Sequence, residues 1–250
     1  MTSIWVTGLH PVEELLASRT QVPRQLLVSQ SVPEAVRERL SGLARSAGIP
    51  CRICPREEWR RRTGEREGRG VGAEIASFRY AAFPEWVDTL PKRSFAFLLD
   101  GITDPQNLGA ILRNARAFGA SGILLPKDRS CPVTSAVFRA SAGAAAHLPV
   151  IQVTNLVRAM EAMKEKGFWI FAAAGDGDVE LADWDPAARS GVVLGSEEGG
   201  IRKRVREHCD AAVRIGMEPG TESLNVSVAS GIFGYVLRKS LTSGIDSDQT

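Results

Sequence analysis

The fold follows from Leu98-Leu99-Asp100-Gly101-Ile102-Thr103-Asp104-Pro105-Gln106-Asn107-Leu108-Gly109-Ala110-Ile111-Leu112-Arg113-Asn114. An apolar strand over 95–99 runs through a short polar turn into a helix whose apolar residues recur at helical spacing. Asp104 suits the N-cap of that helix, Pro105 suits its first position, and Gly119 follows its last apolar residue. The stretch predicts a strand–turn–helix unit of an open α/β sheet, where ligands bind beyond the carboxyl ends of the strands.

Three polar side chains in this stretch lie where a ligand would meet such a sheet. Asp100 ends the strand, and Asn107 and Arg113 lie on roughly the same side of the helix. An ordinary surface helix has no need of an asparagine so near its start or of Gly109 in its interior. Asn107 and Arg113 are therefore candidate functional residues.

Strands and helices alternate along the rest of the chain. The strands are almost continuously apolar, which is typical of a parallel sheet buried between helices. The predicted strands are 95–99, 122–125, 149–153, 168–173, 191–195 and 212–215, and the predicted helices are 105–118, 134–146, 155–166, 201–208 and 225–240. We expect a small α/β domain over 1–79, a linker over 80–94 and an α/β domain with a parallel sheet over 95–250.

The composition is that of an ordinary globular protein. The 250 residues are 44% hydrophobic and 24% charged, and the first residues lack the basic and apolar regions of a signal peptide. No apolar run approaches the length needed to span a membrane. Four cysteines in a chain of this length do not form a disulfide framework. We expect a cytoplasmic protein that does not bind membranes.

Positive charge is concentrated near the start of the chain. Residues 1–80 contain 13 arginines, no lysine and nine glutamates, and Arg60-Arg61-Arg62 is the densest basic run. Such a run is by default a solvated helix face. It also suits a surface that binds RNA phosphates, because phosphate contacts supply much of nucleic-acid affinity.

Three motifs occur in a fixed order over the second half of the chain. They are Asn107-x-Gly109-x-x-x-Arg113, Val193-Leu194-Gly195-Ser196-Glu197 and Glu222-Ser223-Leu224-Asn225-Val226-Ser227-Val228-Ala229. Together they resemble the motifs of the TrmH-type RNA ribose methyltransferases of the SPOUT superfamily. Near the start, the run from Gly8-Leu9-His10-Pro11 onward is similar to the opening of the RNA-binding domain in the large-subunit rRNA branch of that family.

The resemblance implies a C-terminal trefoil knot, a homodimer and S-adenosylmethionine as cofactor, with no metal. The catalytic residues that it implies are Arg113, Asn107, Glu197, Ser223 and Asn225. The cofactor-binding residues that it implies are Gly195, Ser196, Gly200, Ile215, Met217, Leu224 and Asn225. For contact with RNA we expect Arg60, Arg61, Arg62, Lys127 and Arg129, the last two in a loop that matches the rRNA branch.

The loop Gly195-Ser196-Glu197-Glu198-Gly199-Gly200 follows a strand and precedes a helix, as phosphate-binding loops do. It lacks the Gly-Lys-Ser/Thr ending, and its two carboxylates would repel a polyphosphate. Carboxylates instead suit the sulfonium, ammonium and hydroxyl groups of S-adenosylmethionine. Glu198 stands where the family usually has glycine.

The next turn combines apolar and capping residues. The resemblance implies that Met217 and Leu224 form an apolar slot for adenine, and Gly216 stands where proline is usual. Ser223 and Asn225 also have a plain interpretation as caps of the last helix. The two roles are compatible.

Other chemistries have weak support. Cys51-x-x-Cys54 has the spacing of a metal or redox pair, but the alternation of residue types around it predicts a strand. His10, His147 and His208 are scattered, with no pattern of a nucleophile around them.

The resemblance thus implies methyl transfer to a ribose 2′-hydroxyl, with a guanosine of 23S rRNA as the expected substrate. One alternative is the same chemistry on tRNA or on another rRNA nucleotide, as in antibiotic resistance. Another is a non-catalytic RNA-binding factor in ribosome assembly. A nicotinamide-dependent dehydrogenase is disfavoured, because its glycine fingerprint is missing.

Overall fold

The computed structural model describes residues 3–65, 69–221 and 223–243, so Glu222 of the third motif lies outside the described residues. The chain forms two compact units, one made of Met1–Arg79 with Val133–His147 and the other of Tyr80–Pro132 with Leu148–Thr250. The strands and helices in chain order are β1 (Ile4–Thr7), α1 (Leu9–Ala17), β2 (Gln25–Ser29), α2 (Glu34–Ser46), β3 (Cys51–Cys54), α3 (Arg56–Thr63), β4 (Val71–Ile75), α4 (Phe83–Asp88), β5 (Ser94–Asp100), α5 (Pro105–Phe118), β6 (Gly122–Pro126), α6 (Ser135–Ala140), β7 (Val150–Val153), α7 (Leu156–Glu165), β8 (Trp169–Ala173), β9 (Val179–Glu180), β10 (Arg189–Gly195), α8 (Lys203–Arg206), β11 (Ala211–Arg214) and α9 (Val226–Ser243).

The first unit is built on a four-stranded sheet in the order β1-β4-β2-β3. Strand β4 pairs antiparallel with both β1 and β2, and β2 pairs parallel with β3. The apolar run of β2 is fully buried. Leu40 and Ala44 lie one turn apart on the apolar face of α2, and both are buried. Trp59 anchors α3 against Leu27 and Cys54.

The second unit is built on a seven-stranded parallel sheet in the order β7-β6-β5-β10-β8-β11-β9. Every residue of β5 is buried, which explains the unbroken apolar run over 95–99 within it. The α/β fold with a parallel sheet predicted from the sequence is confirmed.

The register of two central strands brings the first two motifs together. Strand β10 pairs in parallel with β5 so that Gly195 lies opposite Asp100. Both strands therefore end at the same level, and the loops that follow them leave the same edge of the sheet. This edge is the place where open parallel sheets bind ligands.

Helix α5 begins and ends at the residues predicted. The Asp104 carboxylate accepts a hydrogen bond from the backbone N–H of Asn107 at 3.0 Å, Pro105 is the first helical residue, and Gly119 adopts a left-handed conformation after the last turn. Asn114 on this helix donates to the backbone oxygen of Ser227 at 2.8 Å and so ties α5 to α9.

The structure divides the chain differently from the predicted domains in two places. The segment 80–94, which we expected to be a linker, contains α4, and its Trp86 and Val87 are buried in the core of the second unit. The segment 133–147 belongs to the first unit, where Phe138 packs edge-on against Phe78 and Ser18 donates to the backbone oxygen of Ala146 at 2.5 Å. Both differences arise from long-range packing, which local periodicity does not register.

The predicted helix 134–146 is also shorter than expected. It ends at Ala140, and a separate 3-10 turn covers Ala144–Ala146. Gly143 between them has a positive φ of 85°, a conformation that breaks helical continuity. For the first unit the sequence predicts helices over 12–16 and 33–47 and strands over 25–29 and 51–54. Strand β1 and helix α3 were not among the predicted elements, and neither was strand β9 of the second unit. Within the described ranges, no helix has both the length and the apolarity needed to cross a membrane.

Candidate active site

Three side chains, one from each sequence motif, meet beyond the carboxyl ends of the strands. Asn107 donates its side-chain amide to Oε1 of Glu197 at 3.2 Å. Asn225 donates its amide to Oδ1 of Asn107 at 3.0 Å and also to Oε1 of Glu197. Two amides and one carboxylate therefore form a closed set of hydrogen bonds.

Asn225 both caps α9 and takes part in the set of hydrogen bonds with Asn107 and Glu197. Its Oδ1 accepts the backbone N–H of Ser227 at 2.9 Å, which satisfies a free donor in the first turn of α9. Its Nδ2 lies on the other side of the amide and donates to Asn107 and Glu197. The helix cap thus fixes the orientation of the side chain that reaches Asn107.

Arg113 lies on α5 and is exposed to solvent. Within the described part of the chain its guanidinium makes no ion pair or hydrogen bond, and it does not line the cavity next to Glu197. The structure therefore leaves this cation available for a ligand but does not bring it into the set formed by Asn107, Glu197 and Asn225.

The loop after β10 closes on itself. Ser196 and Gly200 exchange two backbone hydrogen bonds of 2.9 and 3.1 Å, and Gly199 donates its N–H to the Ser196 hydroxyl at 3.1 Å. A Cβ on Gly195 would lie 2.2 Å from the carbonyl carbon of Gly200, so only glycine permits this closure. The loop accommodates Glu198 because this residue does not need a positive φ. The two described non-glycine residues with a positive φ both lie outside this loop.

Two adjoining cavities lie between this loop and the start of α9. The larger has a volume of about 470 Å³ and is lined by Glu197, Ser223 and Leu224 together with loop backbone. The smaller, of about 120 Å³, is lined mainly by apolar groups. Residues that line both cavities are Ala173, Ala174, Gly175, Ser223, Leu224 and Ala229.

The structure brings together nearly all of the predicted cofactor residues around these cavities. Gly195, Ser196 and Gly200 line the larger one, and Ile215 and Met217 line the smaller one with Leu224. The larger cavity also has two charged lining residues that were not among the predicted ones. They are Asp176 and Arg206, whose side chains form an ion pair at 3.3 Å.

Gly216, which stands where the family usually has proline, faces a carboxylate. A Cβ at this position would lie 2.2 Å from Oε1 of Glu180. Glu180 also pairs with Arg214 at 3.1 Å, so an ion pair between β9 and β11 occupies the space that a larger residue at 216 would need. The turn is thus supported from outside by a side chain instead of by a proline ring.

The side chain of Asp100 is buried and paired with Arg202, a residue that sequence reasoning missed. One carboxylate oxygen accepts from Nε of Arg202 at 2.7 Å and from Nη2 at 2.5 Å, and the other accepts from its backbone N–H at 2.9 Å. The only sequence signal was an aspartate at the end of an apolar strand. Its partner lies 102 positions away in a polar loop.

The predicted RNA-contacting residues lie in separate parts of the chain. Lys127 and Arg129 follow β6 in the second unit, and Arg129 has a positive φ of 57°. Arg60, Arg61 and Arg62 are exposed on α3 of the first unit, where Arg62 lies 3.6 Å from Glu58. The exposed arginines are compatible with both interpretations of this run.

The cysteines do not form a metal or nucleophilic site in the described residues. All four are free thiols, and no group of three or more His, Cys, Asp or Glu side chains is placed to hold a metal there. Burial raises the pKa of the Cys54 and Cys131 thiols, and it raises the pKa of Cys209 to about 11. These three thiols are protonated at neutral pH and are poor nucleophiles.

Comparison with known proteins gives two matches to family profiles. Residues 94–235 match the SpoU rRNA Methylase family, and residues 5–81 match the family described as RNA 2′-O ribose methyltransferase substrate binding.

Relatives and solved structures agree with these profiles. The chain is 36% identical over 231 residues to a protein of Xanthomonas campestris named 23S rRNA (guanosine-2′-O-)-methyltransferase RlmB, covering 91% of this chain and 93% of the relative. It is 38% identical over 232 residues to the protein of the same name from Shewanella oneidensis, with the same coverage. A solved structure of the SpoU methyltransferase AviRb from Streptomyces viridochromogenes with AdoMet superimposes with a TM-score of 0.79 at 21% identity, covering 98% of this chain and 91% of that one. The chain belongs to the SpoU rRNA methylase family.

Proposed function

We propose that this protein transfers a methyl group from S-adenosylmethionine to the 2′-hydroxyl of a guanosine ribose in 23S rRNA. The observation that carries the proposal is the set of hydrogen bonds among Asn107, Glu197 and Asn225 at the mouth of a cavity. The relatives from Xanthomonas campestris and Shewanella oneidensis, which align along almost the whole chain, bear the name of this activity.

The cavities fit S-adenosylmethionine. The larger cavity, at about 470 Å³, lies within the range of about 300–1,000 Å³ that is usual for small-molecule sites, and the smaller one adjoins it. Ile215, Met217 and Leu224 offer an apolar slot for adenine, and the carboxylates of Glu197 and Asp176 suit positively charged and hydroxyl groups. When bound there, the cofactor supplies a methyl group already activated by its sulfonium.

The protein's own task is then to position the ribose and to favour loss of its hydroxyl proton. Arg113 is the residue for the second task, since its planar guanidinium is exposed and has no partner among the described residues. It would bind the adjacent phosphate and stabilise the negative charge that develops on the 2′-oxygen as this oxygen bonds the methyl group, the sulfur–methyl bond breaks and the hydroxyl proton passes to water. Asn107, Glu197, Ser223 and Asn225 orient the substrate and the cofactor.

The first unit docks the RNA in this proposal. Its sheet lies within the region that matches the substrate-binding family, and Arg60, Arg61 and Arg62 present three exposed cations on one short helix. Replacing all three with alanine should weaken binding of rRNA and reduce its salt dependence while leaving cofactor affinity unchanged. Unchanged RNA affinity in that variant would favour the plain solvated helix face.

We further propose a cytoplasmic homodimer whose second unit contains a C-terminal trefoil knot. Support for the dimer comes from α9, where Val228 and Tyr235 are half or more exposed although both are apolar over most of their surface. A second copy covering this helix would remove that surface from water. A single monomeric species in light scattering at micromolar concentration would argue against the dimer.

The experiment that tests the function is transfer of tritium from labelled S-adenosylmethionine into rRNA and tRNA isolated from unmodified cells. Primer-extension stops then locate the methylated ribose. Label at one guanosine of 23S rRNA is the expected result. Label in tRNA, or at another rRNA nucleotide, would retain the chemistry and change the substrate, whereas absence of cofactor binding would favour a non-catalytic RNA-binding protein.

A further inference from the structure

A third cavity opens at the same edge of the parallel sheet, between the loops that follow β6, β7 and β10. It has a volume of about 340 Å³. None of its lining residues lines the two cavities assigned to the cofactor. Its polar lining comes from Asp128, Arg129, Thr154, Asn155, Arg202 and Arg204.

Most of the charged side chains that line this cavity are arginines. Arg129 and Arg204 make no side-chain hydrogen bond or ion pair in the described ranges of the chain, and Arg204 is exposed. Asp128 is the one carboxylate that lines the cavity. Because two free guanidinium groups face a single carboxylate, the cavity attracts anions.

Arg202 is the fixed part of this lining. Its Nε and Nη2 are both held by the buried carboxylate of Asp100, so the plane of the guanidinium is set by the core of the sheet. Its Nη1 has no partner among the described residues. A guanidinium that is already immobilised loses little entropy when it binds an oxygen ligand.

Arg129 adds a second sign that this loop is specialised. It is one of two described non-glycine residues with a positive φ, a backbone conformation that residues other than glycine rarely adopt. This left-handed turn lies in the loop after β6 that brings Asp128 and Arg129 to the lining of the cavity.

We propose that this cavity binds a phosphodiester of the substrate RNA, outside the nucleotide that is methylated, through Arg129, Arg204 and the Nη1 edge of Arg202. The assignment rests on the proposed function for the identity of the RNA. The ligand is an anion with oxygen acceptors, which guanidinium groups bind in fixed geometry. Contacts of this kind position a nucleic acid without reading its sequence.

The test measures binding of an unmodified 23S rRNA transcript over KCl concentrations from about 50 to 200 mM. Each phosphate contact contributes about 0.7–0.9 to the magnitude of the slope of log affinity against log salt. Arg129 and Arg204 share one phosphodiester in this proposal, so Arg129→Ala and Arg204→Ala should each reduce the slope by part of that amount. Asp128→Asn should bind the transcript more tightly, since it removes the opposing charge.

Lys203→Ala is the matched control. Lys203 lies next to Arg204 in the chain and carries the same charge, but its side chain is 91% exposed, pairs only loosely with Glu207 at 3.9 Å and does not line the cavity. This variant should keep the wild-type slope. Calorimetric affinity for S-adenosylmethionine should be the same in all of these proteins.

If the salt-dependence slopes of Arg129→Ala and Arg204→Ala were the same as that of the control Lys203→Ala, the assignment would be overturned. A wild-type protein that does not bind the transcript would also overturn it. The measurement needs no methyl transfer. A wild type that binds RNA with these slopes but transfers no methyl group would therefore refute the proposed function and leave the phosphate site standing.

Discussion

Asn225 donates its side-chain amide to Asn107 Oδ1 at 3.0 Å, although 118 positions separate the two residues in the chain. The same Asn225 caps α9 through its oxygen, and Asn107 lies in the first turn of α5, whose cap is Asp104. Two helix starts are thus joined by one amide pair. The geometry of the candidate active site depends on how both helices begin.

Asn225→Asp separates the two roles of this residue. Aspartate is as good an N-cap as asparagine, so the free energy of unfolding should change little. The variant cannot donate to Asn107, and it places a second carboxylate beside Glu197, so methyl transfer should fall by about 100-fold or more. Initial rates of tritium transfer and urea unfolding curves measure the two effects.

Asn225→Ala provides the comparison. It removes the cap as well and should lose about 1 kcal/mol of stability in addition to activity. If Asn225→Asp transferred methyl groups at the wild-type rate, Asn225 would be a helix cap and nothing more.

Arg113→Ala should reduce methyl transfer by about 100- to 1,000-fold, the usual effect of removing one group that stabilises developing negative charge. Cofactor affinity and the unfolding midpoint should stay unchanged, because Arg113 is exposed and without a partner in the described structure. Arg113→Lys keeps the charge but loses the planar fork and should recover only part of the rate.

Arg158→Ala is the control for that experiment. Arg158 is exposed on α7 and lines none of the cavities described, so its loss removes the same charge elsewhere in the second unit. We expect transfer close to the wild-type rate. If Arg158→Ala lost as much activity as Arg113→Ala, the rate would depend on the total positive charge of the second unit and not on a specific contact of Arg113.

Gly195→Ala should weaken the binding of S-adenosylmethionine. The added Cβ would lie 2.2 Å from the Gly200 carbonyl carbon, so the loop must open. Overpacking of this kind costs about 1–3 kcal/mol, which corresponds to roughly 5- to 150-fold in affinity when the loop is part of the site. Isothermal calorimetry measures the change directly.

Gly199→Ala tests whether the effect is local. A Cβ at Gly199 would lie 3.4 Å from the Ser196 hydroxyl, which is ordinary contact, so affinity should be close to that of the wild type. Equal losses in both variants would show that the loop tolerates no side chain at all, for reasons other than its closure on Gly200.

The features of the fold that were predicted correctly from the sequence are those that depend on residues close together in the chain. The caps of α5 follow from Asp104, Pro105 and Gly119, which act on residues within one turn of the helix. The burial of β5 follows from its unbroken apolar run. The meeting of Asn107 and Asn225 was expected only through the order of the three motifs, since nothing in their spacing measures a distance in space.

The features that were missed depend on side chains far apart in sequence. Trp86 draws the predicted linker into the core by donating its indole N–H to the backbone oxygen of Ser121 at 2.9 Å, 35 positions away. Arg139 binds the Thr7 hydroxyl at 3.2 Å and helps to place α6 in the first unit. Such contacts have no periodic signature, so sequence alone did not indicate them.

The pair formed by Asp100 and Arg202 should dominate the stability of the sheet edge. The side chain of Asp100 has no exposed surface, whereas that of Arg202 is 45% exposed. Arg202→Ala leaves a buried carboxylate with a single backbone donor, and breaking a buried pair in this way costs about 3–5 kcal/mol.

Asp100→Asn combined with Arg202→Ala should recover much of that loss, because the buried group no longer carries a charge. The free energies of unfolding of both single variants and the double variant complete the cycle. If the double variant were less stable than Arg202→Ala alone, the penalty would not come from the uncompensated carboxylate, and Asp100 would contribute through its hydrogen bond to the backbone of residue 202.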